Sequence, residues 1–294
     1  MCVPSLGQIF ANDAIEVTDV SILFEVSNQN TLILTDISDT LYKPCNTISD
    51  KKWRTYLAGR VHEIVLDPTL VSKIANSIEN IIVNQVDKKL VHKNTPSVIK
   101  ELQSRGIPLI AISLKNWAAP YDPNFGTTTS NHLKKLGIDL EQSIPLLGKM
   151  QIDGSSSFEL VQEVNATDEY TFAKGIIFTN KKPLDNALDA FLNRLEKKPA
   201  QIVILENSYE HKEKLARVIK AHNIGLTFIK HQPSEHQENA FDPTLGTIEF
   251  LRFMEDSRTI LDEEAQRIKE NSTAVDFEAL LKDYITKVYT AEEK

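Results

Sequence analysis

Cysteine is scarce in this chain, which has two, Cys2 and Cys45, among 294 residues. Two cysteines are too few for a disulfide framework or a cysteine-rich zinc site, so we expect reduced thiols and a cytoplasmic location. No apolar run approaches the roughly 18 residues of a membrane-spanning helix. Residues 1–10 also lack the basic and apolar segments of a classical secretory signal. The sequence therefore predicts no membrane partner.

Basic residues are in the minority, with 33 Lys and Arg against 41 Asp and Glu and a formal net charge of -8. Because nucleic acids attract proteins through excess positive charge, we expect no nucleic-acid partner. Glycine-rich phosphate loops and Gly-x-Ser-x-Gly elbows are absent. The spacing of His222, His231 and His236 matches no zinc motif, so these histidines are predicted to be surface or capping residues.

Short apolar runs alternate with helical patterns through much of the chain. Five runs have the length and composition of buried parallel strands, at 31–35, 107–113, 175–179, 201–206 and 225–230. Helical patterns precede the second, fourth and fifth runs, at 97–104, 186–196 and 210–222. This alternation predicts an α/β fold with a doubly wound parallel sheet, whose ligands bind beyond the carboxyl ends of the strands.

Three stretches do not fit the alternation. Residues 43–94 are mostly helical in pattern, with an apolar stripe from Val71 to Ile82, and predict a helical cap inserted after the first strand. Residues 116–174 form a longer polar connection, in which 158–172 could hold a short hairpin. Residues 241–294 predict a helical extension packed on the core. The predicted core then comprises 1–42 and 95–240.

The residues after the first predicted strand have the strongest chemical signal. Asp36 ends the apolar run and is followed by the small and polar residues of a turn. A carboxylate at a strand end can attack phosphorus and form an acyl-phosphate, which needs little beyond in-line placement and charge neutralisation. The alternative is an Asp that ends a strand and forms an Asx-turn. This stretch alone leaves both interpretations open.

The stretch resembles motif I of the haloacid dehalogenase (HAD) superfamily, which is an apolar strand followed by Asp-x-Asp-x-Thr-Leu. Three further features resemble the family's motifs in the same order: Ser113 at the end of the second strand, Lys181-Lys182-Pro183 before the helix that leads to the fourth strand, and Glu206-Asn207 at the end of the fourth strand. The matched core covers about 31–113 and 175–230. The resemblance implies a HAD-like Rossmannoid core.

The resemblance also implies a Mg²⁺-dependent phosphohydrolase that acts on a phosphorylated small molecule or phosphoprotein. Asp36 would be the nucleophile and a Mg²⁺ ligand. The backbone carbonyl of Ser38 would be a second ligand, with Glu206 or Asn207 as a third, because oxygen ligands suit Mg²⁺.

In the same family pattern, Ser113 and a lysine would hold the phosphoryl oxygens and stabilise the developing charge. Lys182 is the first choice for this lysine, followed by Lys181 and then Lys174. Ordinary surface lysines are the alternative.

Two positions depart from the family pattern. Position 38 is Ser, where phosphatases of the family carry the Asp that protonates the leaving group. The general acid–base catalysis that is lost typically raises the rate by about 10²–10⁴-fold. Asp39 is the alternative acid. Position 207 is Asn where the family mostly uses Asp, which removes charge from the metal site. These departures predict slow turnover. The alternative is a catalytically dead pseudoenzyme that binds a phosphorylated ligand or protein.

The C-terminal segment and the two tryptophans each allow two interpretations. Glu263-Glu264 and Glu292-Glu293 faintly resemble glutamate-rich C-terminal signals of translocated bacterial proteins. A secreted effector with a protein partner on its C-terminal helices is therefore one alternative, and a solvated helix face is the other. Trp53 and Trp117 are predicted to pack in the core or cap, with substrate stacking as the alternative.

Overall fold

The structure is a computed structural model, in which residues 14–49, 51–65, 71, 86–114, 125–148, 170–180, 182–195, 197–232, 241–256, 259–272 and 275–289 are described. Clustering of backbone contacts divides the chain into two units. The first contains Met1–Lys43 and Leu90–His236, and the second contains Pro44–Lys89 and Gln237–Lys294. We call them the sheet unit and the helical unit.

Within the described residues, seven strands form one sheet in the order β1-β9-β8-β2-β5-β7-β6. Their bounds are β1 Ile15–Val17, β2 Thr31–Thr35, β5 Leu109–Ser113, β6 Thr171–Ala173, β7 Ile176–Phe178, β8 Gln201–Glu206 and β9 Gly225–His231. All neighbouring pairs are parallel except β6 and β7, which are antiparallel. A separate two-stranded sheet pairs β3, Tyr42–Pro44, with β4, Lys88–Leu90.

The helices of the described residues connect these strands and follow them. Their bounds are α1 Leu23–Val26, α2 Lys51–Ile64, α3 Thr95–Ser104, α4 Phe125–Lys135, α5 Ile144–Leu147, α6 Leu184–Asn193, α7 Lys212–Ala221, α8 Pro243–Asp256, α9 Asp262–Asn271 and α10 Phe277–Tyr289. Gly106, with φ 79°, follows the end of α3, where glycine adopts the left-handed conformation without the strain of a Cβ.

Hydrophobic clusters cover both faces of the sheet. Successive side chains of a strand point to opposite faces, and β2 shows this alternation. Leu32 and Leu34 join a cluster with α6 and α7, whereas Ile33 joins a cluster with α3. Helices therefore pack on both faces, and the predicted α/β fold with a mostly parallel, doubly wound sheet is confirmed.

The predicted strands and helices of the sheet unit are found, with additions. All five predicted strands and all three predicted helices are present, with shifted ends. We missed the edge strands β1 and β6, so the strand that precedes Asp36 is the second strand of the chain, not the first. The long polar connection contains α4 and α5, and most of the predicted hairpin at 158–172 lies outside the described residues.

The C-terminal helices belong to the helical unit, together with the inserted segment. Apolar side chains of α2, α8 and α10 form one buried cluster, which includes Trp53, Leu57, Phe250, Phe253, Leu281 and Ile285. The inserted segment and the C-terminal segment thus bury each other's apolar stripes. Trp53 packs in this cluster as predicted, and Trp117 lies outside the described residues.

Gly246 of α8 is required by this packing. A Cβ at Gly246 would lie 2.1 Å from Cδ1 of the buried Trp53 ring, whereas a Cβ at Gly59 of α2 would have no atom within 4 Å. We expect Gly246→Ala to lower the free energy of unfolding by about 2 kcal/mol, because the ring must move. Urea unfolding measures the change.

Gly59→Ala is the matched control, since it makes the same change inside a helix of the same unit. It should raise the free energy of unfolding by about 0.5–1 kcal/mol, because Ala has the better helix propensity. Equal effects of the two substitutions would contradict the close contact between Gly246 and Trp53.

Candidate functional site

Asp36 lies at the point where the strand order of the sheet reverses. The chain passes from β2 to β5 and β7 on one side of β2, and returns to β8 and β9 on the other side. In such sheets, ligands bind outside the carboxyl ends of the strands at this point. The backbone N–H of Asp36 donates to the carbonyl of Leu205 at 3.1 Å, which holds Asp36 beside the end of β8.

Glu206, the last residue of β8, is the next residue along this edge. The register pairs Thr35 with Leu205, so Asp36 and Glu206 follow on neighbouring strands. Glu206 is 3% exposed, and its Oε2 has no hydrogen-bond partner among the described residues. Burial, then the charge of Asp36 and that of Glu210, raise the pKa of Glu206 to about 8. A carboxyl group in this place requires a proton or a cation.

The turn after Asp36 is held by its backbone and exposes the predicted acid–base position. The N–H of Asp39 donates to the carbonyl of Tyr42 at 2.8 Å, and Asp39 has φ 61°, which short polar residues tolerate. Ser38 and Asp39 are exposed, whereas Asp36 is half-buried. Position 38 is a serine, so the turn has no carboxyl group at the position where the family's acid lies, and Asp39 is the neighbouring carboxyl group.

Tyr42 is a residue of this site that we did not predict. It is 7% exposed. Burial, followed by the charges of Asp36 and Asp39, holds the pKa of Tyr42 well above its ordinary value. Burial is thus the largest cause of both raised pKa values, and the negative charge of Asp36 adds to it at Tyr42 and at Glu206.

Ser113 and Thr179 lie together at the ends of β5 and β7. Ser113 is the last residue of β5 and pairs in register with Phe178, and the N–H of Thr179 donates to the carbonyl of Ser113 at 2.9 Å. Ser113 is 8% exposed and Thr179 is fully buried. The Oγ1 of Thr179 has no hydrogen-bond partner among the described residues. The structure thus places Ser113 at the predicted edge and adds a hydroxyl group that we missed.

The structure separates the three candidate lysines. Lys182 is exposed. Its backbone N–H donates to the carbonyl of Thr179 at 2.9 Å, so Lys182 lies in the loop that follows β7 at the carboxyl edge of the sheet. Lys181 lies outside the described residues. Lys174 lies in the turn that precedes β7, which is the opposite edge of the sheet, and its Nζ is 3.4 Å from Glu141. The third choice, Lys174, was therefore wrong.

The histidines are placed differently from one another. His222 caps the end of α7 and lies 2.8 Å from Asp189, as predicted for a capping residue. His231 is fully buried, with its ring centroid 5.8 Å from that of His92, so the prediction of a surface or capping position was wrong there. His236 lies outside the described residues.

Comparisons with known proteins assign the chain to a family. The model of the family described as "Protein of unknown function (DUF2608)" matches residues 14–267. This chain belongs to the DUF2608 family. A curated relative from Chlamydia pneumoniae, named "Putative outer membrane protein", is 23% identical over 244 residues, which are 80% of this chain and 83% of the relative. No solved structure matches the chain.

The part of this DUF2608 member that the structure describes lacks two features. No helix there is both long enough and apolar enough to cross a membrane. The same residues contain no group of three or more His, Cys, Asp or Glu side chains that could hold a metal ion. The candidate site therefore has two acidic side chains, Asp36 and Glu206, and the uncharged, half-buried Asn207 follows Glu206.

Lys230 of the DUF2608 chain is the register partner of Glu206, but its ammonium group forms an ion pair with Glu16. Lys230 of β9 aligns with Glu206 of β8 and with Glu16 of β1. Its Nζ lies 3.3 Å from Glu16 and 4.6 Å from the ring centroid of Tyr209, whose hydroxyl donates to Glu16 at 2.8 Å. Glu16 thus has the nearby positive charge, while Glu206 has Asp36 beside it.

The raised pKa of Glu206 predicts a pH-dependent stability for this DUF2608 member. The ordinary pKa is 4.5 and the folded value is about 8, so the favourable contribution is complete below pH 4.5 and is lost as the pH rises through 8. In EDTA, the free energy of unfolding should therefore fall on the order of 1–3 kcal/mol over this range. Glu206→Gln should remove this contribution to the pH dependence, since glutamine stays neutral.

Chemical denaturation at several pH values between 4.5 and 8.5 makes this measurement. Glu213→Gln is the matched control because Glu213 is an exposed carboxylate of α7 that does not contribute to the pKa of Glu206, and it should retain the pH dependence. Parallel curves for the wild type and Glu206→Gln would show that Glu206 ionises in the folded chain as it does in water.

Proposed function

We propose that this chain is a HAD-like, Mg²⁺-dependent phosphohydrolase that uses Asp36 as nucleophile and turns over slowly. The observation that supports it most is the pair of Asp36 and the buried Glu206 at the strand-order reversal. Acidic groups at the carboxyl edge of a parallel sheet, with Ser113 on the neighbouring strand, would place a cation and a hydroxyl group where this kind of sheet binds its ligands.

The residues at this edge fit a hard cation. Glu206 has a buried oxygen atom without a hydrogen-bond donor among the described residues and is destabilised by the charge of Asp36. Mg²⁺ typically binds through one or two carboxylates and the phosphate of a substrate. Asp36 and Glu206 would hold the ion, with the side chain of Asn207 and the carbonyl of Ser38 as neutral ligands. The ion would supply positive charge to neutralise the phosphoryl group.

The chemistry begins at the carboxylate of Asp36. One Oδ forms a bond to phosphorus while the bond between phosphorus and the ester oxygen breaks, which leaves an acyl-phosphate on Asp36. Ser113 and Lys182 would stabilise the phosphoryl oxygens. The leaving oxygen takes its proton from water, since position 38 offers no carboxyl group. Water then attacks the acyl-phosphate, releases inorganic phosphate and regenerates Asp36. The missing acid makes both steps slow.

The substrate class in this proposal is a phosphorylated small molecule or a phosphoprotein, with residues 43–94 as the helical cap. The C-terminal helices remain a candidate surface for a protein partner. The name of the relative supports a location at the bacterial surface over the cytoplasmic location that cysteine usage predicts. A secreted protein is consistent with that name.

A second candidate function is phosphate binding without turnover. The exposed Ser38 and the uncharged Asn207 favour it, because each replaces a group that phosphatases of the HAD superfamily use. In this case Asp36 and Glu206 would hold the cation and the phosphorylated ligand, and no acyl-phosphate would form.

Hydrolysis of a generic aryl phosphate in Mg²⁺ and in EDTA tests the proposal. We expect slow release of the phenol that requires Mg²⁺ and is lost in Asp36→Asn. Binding of the phosphate compound without release would favour the second candidate. Release that persists in EDTA, or equally in Asp36→Asn, would overturn both.

A further inference from the structure

The helical unit contains its own pair of neighbouring carboxyl groups, the buried Glu249 of α8 and the half-buried Asp262 at the start of α9. Glu249 is 1% exposed. Its Oε2 accepts a hydrogen bond from the N–H of Ile48 at 2.7 Å, and Oδ1 of Asp262 accepts one from the N–H of Thr47 at 2.7 Å. Both carboxyl groups therefore cap the same short 3₁₀ turn, Thr47–Ser49.

The two carboxyl groups also meet each other. Burial, followed by the side-chain contact with Asp262, raises the pKa of Glu249 to about 9. Oε1 of Glu249 has no hydrogen-bond donor among the described residues. The lysine of α9, Lys269, is paired with Asp242 at 2.5 Å. Two carboxylates in contact are both acceptors and repel, so a positive species must lie between them.

Further buried oxygen atoms flank the turn. Asn46 precedes it and is 5% exposed, and its Nδ2 donates to the carbonyl of Ile260. Ser49 ends the turn and is 6% exposed. Neither Oδ1 of Asn46 nor Oγ of Ser49 has a hydrogen-bond partner among the described residues. A proton between Glu249 and Asp262 would leave both of these oxygen atoms unsatisfied. A bound cation would account for all of them.

We propose that the Asn46–Ser49 segment, Glu249 and Asp262 form a binding site for a divalent cation with oxygen ligands. The two carboxylates would supply the charge, and Asn46 and Ser49 would supply neutral oxygen atoms. Ca²⁺ fits this set, because it takes carboxylate and amide oxygens in a flexible geometry. The ion ties the inserted segment to α8 and α9, and so stabilises the helical unit independently of the phosphohydrolase proposal.

Thermal unfolding of the full chain in EDTA and in Ca²⁺ tests this site. At a 100-fold excess of Ca²⁺ over the dissociation constant, the midpoint should rise by about 5 °C or more. The variants are compared in an Asp36→Asn background, which removes a proposed cation ligand of the sheet unit. In that background Glu249→Gln should abolish the rise, whereas Glu255→Gln, an exposed change on the same helix, should leave it unchanged. If Ca²⁺ moves no midpoint and Glu249→Gln merely exceeds the wild type in EDTA, a shared proton occupies the pair and the proposal is overturned.

Terbium luminescence gives a second measurement that does not depend on stability. Trp53 packs on α8, against Gly246 and with its ring centroid 5.6 Å from that of Phe250. The chain has two tryptophans, so Trp117→Phe leaves Trp53 as the sensitiser. Terbium emission excited through Trp53 should appear, decrease when Ca²⁺ competes and disappear on adding Glu249→Gln. Emission that is unchanged by Glu249→Gln would place the ion elsewhere and overturn the proposal.

Discussion

We expect Asp36→Asn to lower the Mg²⁺-dependent hydrolysis of an aryl phosphate by at least about 10³-fold, because asparagine cannot form the acyl-phosphate. Asparagine keeps the size of the side chain, and the backbone bond from position 36 to Leu205 does not involve it. Removing the charge of Asp36 also removes a repulsion on Glu206. The variant should therefore be folded and at least as stable as the wild type, while it is inactive.

Two further variants serve as a control for Asp36→Asn and as a test of the alternative acid. Glu213→Gln changes an exposed carboxylate of α7 and should leave the hydrolysis rate unchanged. Asp39→Asn tests the alternative acid, and a loss of activity there would show that Asp39 replaces the group missing at position 38. If Asp36→Asn retains the wild-type rate, Asp36 is not the nucleophile.

The second large effect is a gain of activity from restoring the missing acidic groups. Ser38→Asp combined with Asn207→Asp should raise the hydrolysis rate by about 10²-fold, the lower end of the usual range for general acid–base help. The carboxyl group at position 38 would protonate the leaving oxygen, and the one at position 207 would strengthen cation binding. Position 38 is exposed in the turn, so the new side chain has room.

Ser38→Asn combined with Asn207→Asp is the matched control, since asparagine has the shape of aspartate without its proton chemistry. It should show only the effect of stronger Mg²⁺ binding, which a Mg²⁺ titration separates from the rate at saturation. Equal rates at saturation for the two double variants would contradict the role assigned to position 38.

Much of the sheet could be predicted from sequence because its strands are buried on both faces. Such strands are continuous apolar runs, as at 31–35 and 201–206, and their ends mark the positions of Asp36 and Glu206. Strand β1 was missed because it has three residues with Glu16 at its centre, and β6 because it begins within a polar connection. Short edge strands depend on their neighbours more than on their own composition.

The packing partner of the C-terminal helices could not be predicted. The apolar stripe of α10, with Leu281 and Ile285, shows that one face is buried but not what covers it. The partner is α2, which lies far earlier in the sequence, at Lys51–Ile64. The close contact between Gly246 and Trp53 arises from this pairing of distant segments.

The sequence predicted that Asp36, Ser113 and Glu206 lie at strand ends, but it did not predict the electrostatics around them. Motif spacing indicated Asp36, Ser113 and Glu206, since each lies at the end of a strand. The pKa of Glu206 depends on burial and on the charge of Asp36, which the register of two distant strands brings together. The exclusion of Lys174 likewise required knowing at which edge of the sheet its turn lies.

Fluorine NMR of the chain with beryllium fluoride and Mg²⁺ tests the central claim most directly, because this complex mimics a phosphoryl group on an aspartate whether or not turnover occurs. We predict a bound fluoride signal in the wild type that requires Mg²⁺ and is absent from Asp36→Asn. A wild type without this signal, or a signal that persists in Asp36→Asn, would contradict a phosphoryl site at Asp36.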